Sequence, residues 1–221
     1  MAFYTPAASA ERQVPIDPAR AALLFIDTQN FNCHRDGVIY KAEGYSEDDA
    51  EWWAAVGAVI PKWQRLQRLA RDAGLEVIYT VIQSLTRDGR DRSLDYKLSG
   101  FHVPPGCWDA QVIAELAPSE DEIVLPKTTS SVFSSTTLHY LLRNMGHDAH
   151  LVVAGALTDQ CVAHAVKDAA DLSYLVTMVT DCCVTHTAAR QRGAEAAVAG
   201  YCRLRTLAEL EAELRPAARR G

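Results

Sequence analysis

A chain of 221 residues, 48% hydrophobic and 23% charged, carries enough apolar side chain to bury one sizeable core and has the composition of a globular domain. Its formal net charge of -6 argues against nucleic acid as a partner, since phosphate binding needs clustered Lys and Arg. No apolar run reaches the roughly 18 residues that cross a bilayer. The opening "MAFYTPAASAERQVP" lacks a basic segment followed by an apolar one, so a cytoplasmic protein without membrane contact is expected.

In chain order, residues 1–18 read as an N-terminal arm and "AALLFID" (21–27) as a first buried strand. An amphipathic stretch over 50–73, closed by Gly74, predicts a long helix. "LEVIYTVI" (75–82) predicts the second strand. Residues 83–107 show neither period and form the longest irregular piece, a length that suits a lid, a substrate wall or a contact with another subunit. A helix over 108–117, with Asp109 as a candidate cap, then leads to the strand "DEIVLP" (121–126). A helix over 135–145, closed by Gly146, leads to "AHLVVAG" (149–155), and one over 161–171 leads to "YLVTMVTD" (174–181). A helix over 187–199 precedes the strand "YCRLRT" (201–206), and Thr206 could cap the last helix, 206–214, before a basic tail, 215–221. This β-α-β alternation predicts a single α/β domain of three layers, an open parallel sheet with right-handed crossovers.

The six cysteines, at 33, 107, 161, 182, 183 and 202, fit neither a disulfide framework nor a CxxC zinc site. Cys182 and Cys183 read as packing residues. No HxxxH pair occurs among the seven His, so neither a metal nor another cofactor is expected.

In open parallel sheets the chemistry gathers beyond the carboxyl ends of the strands. Asp27 closes the first strand there, Lys127 follows the third, and Cys161 follows the fourth. Each has an ordinary reading: an Asp that forms a turn, a solvated Lys, an inert thiol. Together on one edge they can do nucleophilic chemistry. A helix start and a neighbouring ammonium favour a thiolate at Cys161, Asp27 can take and return a proton, and Lys127 can hold the carboxylate.

The stretches "LLFIDTQN", "IVLPKTTSSVFSST" and "LVVAGALTDQCVAHAVKDAADLSYLVTMVTDCC" resemble the isochorismatase-like cysteine hydrolases, over roughly residues 20 to 190. The resemblance implies a six-stranded sheet in the order 3-2-1-4-5-6 and a triad of Asp27, Lys127 and Cys161. It also implies a non-proline cis peptide between Ala156 and Leu157, which aims the Leu157 N–H, with that of Cys161, at an oxyanion. Gly155 and Thr158 would support that turn. The implied reaction is cleavage of a C–N bond in a small amide through a thioester, releasing ammonia or an amine.

Departures from the family pattern narrow the substrate. Nicotinamidases carry a metal-binding "DxH" shortly after the second strand, where this chain has Gln83 and Ser84. Gln83, "GCWDAQVIAELAP" and "IVLPK" resemble the ureidoacrylate branch instead, so a small linear amide or ureido (N-carbamoyl) compound is the expected substrate. Gln29, Asn32 and Gln83 are the candidate polar contacts, with Phe31, Trp108 and Phe133 as walls. Gln29 could equally brace the turn, and the aromatics could simply pack. Arg87, Arg90, Arg92 and Lys97 alternate with Asp88, Asp91 and Asp95, which favours a self-paired loop over a carboxylate site. The rival readings are a vinyl-ether hydrolase of the isochorismatase type, a non-catalytic small-molecule-binding domain, and a redox-sensing thiol. The resemblance and the long loop also suggest a homodimer or homotetramer.

Overall fold

The computed structural model describes residues 10–41 and 49–214. The basic tail and the first nine residues of the arm lie outside the described residues. The elements run β1 (Ala21–Ile26), α1 (Asn30–Cys33), α2 (Ala50–Ala73), β2 (Glu76–Ile82), α3 (Leu94–Leu98), β3 (Ile123–Lys127), α4 (Val132–Ser135) and α5 (Leu138–Met145). They continue with β4 (His150–Ala156), α6 (Ala163–Asp171), β5 (Leu175–Val184), α7 (Ala188–Val198), β6 (Arg203–Arg205) and α8 (Leu207–Leu214).

All six strands are parallel, in the order β3-β2-β1-β4-β5-β6. Period-two alternation sends the side chains of each strand to two separate cores. Leu23 and Phe25 of β1 join Val77 and Tyr79 of β2 and Val152 of β4, under Trp52, Val56 and Trp63 of α2 and Leu210 of α8. Leu24 and Ile26 join Ile78, Leu151 and Val153 on the other face, under Leu142 of α5, Val166 of α6 and Val198 of α7. Because both faces are covered, the central strands are apolar at nearly every position, which is why they stand out in the sequence.

Helix ends follow their chemistry. Gly74 and Gly146 take the left-handed conformation, φ 80° and 82°, and close α2 and α5 through their own N–H groups. Thr206 and Glu209 cap the start of α8 reciprocally, backbone N–H to side chain in both directions. Gly155 has φ 126°, and a Cβ there would collide with the backbone of Ile26 on the neighbouring strand. β4 can approach β1 this closely only with glycine.

The structure corrects three of the expected elements. Residues 108–117 form short 3-10 turns, not a helix, because Gln111 and Ile113 spend their backbone groups on the chain after β1. Asn30 N–H donates to Gln111 O at 2.9 Å and Ile113 N–H to Thr28 O at 3.0 Å. Asp109 caps no helix; its carboxylate accepts from Val38 N–H. The helix expected over 135–145 starts only at Leu138. Thr136 breaks it, since its hydroxyl takes Val132 O and accepts from Leu138 N–H. The segment 83–107 is not wholly irregular, because α3 forms inside it, capped by Ser93 Oγ on Tyr96 N–H. Cys182 and Cys183 are free and buried, one in each core.

Candidate active site

Three strand ends converge beside the central pair β1 and β4. β1 stops at Asp27, whose φ of 52° is left-handed, a conformation Asp tolerates better than bulkier residues. Asp27 N–H donates to Thr80 O at 3.1 Å, and Thr80 Oγ1 donates to Asp27 Oδ1 at 2.8 Å, so β2 fixes one carboxylate oxygen. β3 is an edge strand, where Pro126 costs no ladder bond to a further neighbour. Pro126 leads into Lys127, the only fully buried residue of that strand.

β4 ends at Ala156, and the Ala156–Leu157 peptide bond is cis. One π turn, Thr158–Val162, then carries Cys161 before α6 begins. Val162 N–H donates to Leu157 O at 3.2 Å and Gln160 N–H to the same oxygen at 3.1 Å. α7 anchors this turn from outside. Thr158 Oγ1 donates to Gln191 Oε1 at 2.7 Å, and Asp159 pairs with Arg190 at 2.6 Å.

Lys127 Nζ stands between the other groups. It pairs with Asp27 Oδ2 at 2.8 Å and lies 3.3 Å from Cys161 Sγ, 3.0 Å from Thr129 O and 3.1 Å from the Tyr96 hydroxyl. Asp27 and Lys127 are fully buried, and Cys161 is 5% exposed. Burial alone would lower the Lys127 ammonium, but Asp27 and then Cys161 outweigh it and hold its pKa well above the ordinary value. Burial pushes the Cys161 thiol up to about 11; Lys127 pulls against this and Asp27 adds to it. Burial thus works against the thiolate that a helix start favours, and the Asp27 carboxylate stands close by as a base. Burial also pushes the Tyr96 phenol well up, so it stays protonated.

Of these residues Cys161 and Tyr96 open onto a cavity of about 350 Å³, lined also by Ile82, Phe101, Gln160 and His164. A larger cavity of about 400 Å³, between α2, β5 and α7, contains none of Asp27, Lys127 or Cys161. Among the described residues no group of three or more His, Cys, Asp or Glu is placed to hold a metal ion, and no helix is long and apolar enough to cross a membrane.

The isochorismatase domain family matches residues 21–209. The chain belongs to the isochorismatase family. Ureidoacrylate amidohydrolase RutB of Variovorax paradoxus (strain S110) is 40% identical over 85 residues, 38% of this chain and 33% of that protein. The protein of the same name from Pantoea ananatis (strain LMG 20103) is 30% identical over 197 residues, 82% of this chain and 75% of that one. In three dimensions the chain is similar to a cysteine hydrolase from Pseudomonas syringae pv. phaseolicola 1448A, with a TM-score of 0.78 at 24% identity over 91% of this chain and 95% of that one.

Within this isochorismatase-family fold, the residues expected at the substrate sit elsewhere than on the cavity beside Cys161. Gln29 is fully buried, and its amide clasps Ile82 N–H, Ile82 O and Asp109 O, so it braces the backbone. Phe31 packs edge-on against Phe101 at 5.4 Å and backs a cavity wall from behind. Asn32 is buried, its carbonyl accepting from Trp52 Nε1. Gln83 is half-buried, and its N–H donates to Lys127 O at 3.1 Å, in line with β2 and β3 pairing. Trp108 is 41% exposed against His34, and Phe133 packs on Tyr174 in the second core. In the long loop, Arg90 pairs with Asp88, Arg92 donates to Gly89 O and Phe101 O, and Lys97 donates to Arg90 O.

Thr80, Tyr96 and His164 went unnoticed in the sequence. Thr80 had a signal, as a hydroxyl in an otherwise apolar strand near its carboxyl end. Tyr96 had none, since its place depends on how the loop folds.

Proposed function

We propose that the chain is a metal-independent cysteine amidohydrolase that cleaves the C–N bond of a small linear amide or ureido (N-carbamoyl) compound. The carrying observation is Lys127 Nζ, 2.8 Å from the Asp27 carboxylate and 3.3 Å from the Cys161 sulfur, which itself lines a cavity. Asp27 takes the thiol proton as Cys161 Sγ bonds to the carbonyl carbon, and the oxyanion is met by the N–H groups of Leu157 and Cys161. Asp27 then gives that proton to the nitrogen, the C–N bond breaks, and ammonia or an amine leaves a thioester. Water loses a proton to Asp27 and attacks the thioester. The sulfur departs and recovers that proton, which restores the resting thiol.

The names of the ureidoacrylate amidohydrolase relatives support the substrate class. Leu85, Leu94 and Leu98, exposed at 63%, 72% and 79% on the long loop, support a homodimer or homotetramer built on it. Sedimentation of the purified protein tests that part.

The test of the reaction is ammonia release from a panel of primary amides, N-carbamoyl compounds and ureidoacrylate-like acids, with and without chelator, in wild type and Cys161→Ala. The expected result is turnover that survives chelation and falls at least about a thousandfold in the variant. Ammonia release that persists in Cys161→Ala would remove the thioester, and no release by either protein would favour vinyl-ether hydrolysis in the same cavity.

A further inference from the structure

The Lys127 ammonium carries three N–H groups and no lone pair, and it donates them to Thr129 O at 3.0 Å, Tyr96 Oη at 3.1 Å and Cys161 Sγ at 3.3 Å. Asp27 Oδ2, 2.8 Å away, is met as an ion pair outside hydrogen-bond geometry. Because Tyr96 accepts from Lys127, the phenol's own O–H is left to donate, and Cys161 Sγ lies 3.9 Å from that oxygen, within reach for sulfur.

The placement of this hydroxyl is built into the fold. Tyr96 is 2% exposed and sits in α3, whose cap residue Ser93 donates its N–H to Thr128 O at 3.0 Å, the residue next to Lys127. That bond sets α3 in register with the end of β3. Packing of the ring on Phe101, centroids 5.5 Å apart, accounts for the ring but not for the hydroxyl.

We propose that Tyr96 is a further catalytic residue: it accepts a hydrogen bond from Lys127, which orients its own O–H, and it donates that O–H to the sulfur whenever charge develops there. Resting on the reading of Cys161 as the nucleophile, this applies twice in each turnover, as the thiol loses its proton to Asp27 and as the thioester releases the sulfur. At both moments Lys127 and Tyr96 donate to the sulfur together. No covalent bond to Tyr96 forms, and its proton stays on the phenol.

The experiment is alkylation of Cys161 by iodoacetamide between pH 6 and 12, followed by mass spectrometry of the Cys161 peptide. The groups facing the sulfur from the surrounding elements are Asp27, Lys127, Asp95 of α3, His164 of α6 and Asp159, which is paired with Arg190. All are kept in the variants. Tyr96→Phe should react about tenfold more slowly at each pH below the midpoint, the effect of one hydrogen bond to a charged atom, and should move the midpoint up. Replacement of Tyr96 by 3-fluorotyrosine, of nearly the same shape with a more acidic hydroxyl, should move it down. On a substrate, Tyr96→Phe should lower kcat and leave KM nearly unchanged.

Profiles that coincide with wild type in both variants would reduce Tyr96 to a cavity wall and overturn the proposal. If Tyr96→Phe melts early, the fluorotyrosine protein decides alone. Alkylation reads the sulfur without any hydrolysis, so an inactive amide panel would sink the amidohydrolase reading and still leave this result to stand or fall by itself.

Discussion

The sheet buries a cation at each of its two ends, and the two are treated differently. At the amino end Arg203, 2% exposed, donates to Thr177 Oγ1 at 2.6 Å and Glu213 Oε1 at 2.8 Å, and Glu213 also accepts from Ile16 N–H. Every one of these partners is scaffold: the arm, β5 and α8. At the carboxyl end Lys127 donates to a thiol, a phenol and one backbone carbonyl and pairs with the Asp27 carboxylate. A buried ion pair whose hydrogen bonds close on the scaffold ties elements together. One whose hydrogen bonds fall on a thiol and a phenol can redistribute protons.

The comparison can be broken most sharply at Lys127. Lys127→Met should abolish turnover, by at least about a thousandfold, and cost about 3 kcal/mol of stability, because it strands the Asp27 carboxylate in the core. Adding Asp27→Asn should restore part of the stability and none of the activity, which urea titration and an activity assay on the same samples would separate. Arg203→Met is the counterpart. It should cost about 2 kcal/mol while kcat per folded molecule stays unchanged, since nothing that Arg203 touches reaches the cavity. A fall in kcat there would show that the two ends are coupled.

A pH series sharpens the amino end. His150 is buried against Thr177, and burial, followed by repulsion from Arg203, lowers its pKa from 6.5 to about 4. Between those values the unfolded chain holds more protons than the folded one. Stability should therefore be full above pH 6.5 and fall by about 2 kcal/mol as the pH drops toward 4, seen as a falling urea midpoint. In Arg203→Met the repulsion is gone and the loss should be smaller. The smallest effect is expected from Thr80→Val, which removes the donor to Asp27 Oδ1 but keeps the shape. A fall of about tenfold in kcat, with a melting temperature near wild type, would mark Thr80 as positioning the carboxylate.

Asp27, Lys127 and Cys161 were legible because each lies at or just past the end of a strand that reads as apolar, and the open-sheet rule gathers the carboxyl ends of such strands on one edge. The residues around them were not legible in the same way. Gln29 looked like a ligand because an amide beside Asp27 has suitable chemistry, but its side chain bonds instead to the backbone at Ile82 and Asp109. Residues 108–117 have a helical pattern, yet pairing with Thr28 and Asn30 claimed their backbone first. Tyr96 lies in a stretch without any period. Its position is set by one cap and one backbone bond to Thr128, neither of which leaves a pattern of spacing. The depth of Cys161 was not legible either: a helix start favours the thiolate, and burial works against it.

The loop that reaches over the cavity brings its own hydroxyl to within 3.9 Å of the sulfur. Grafting a different loop between β2 and β3 would thus change how fast the sulfur reacts as well as what it meets. For anyone redesigning this enzyme, selectivity and reactivity travel on the same piece of chain.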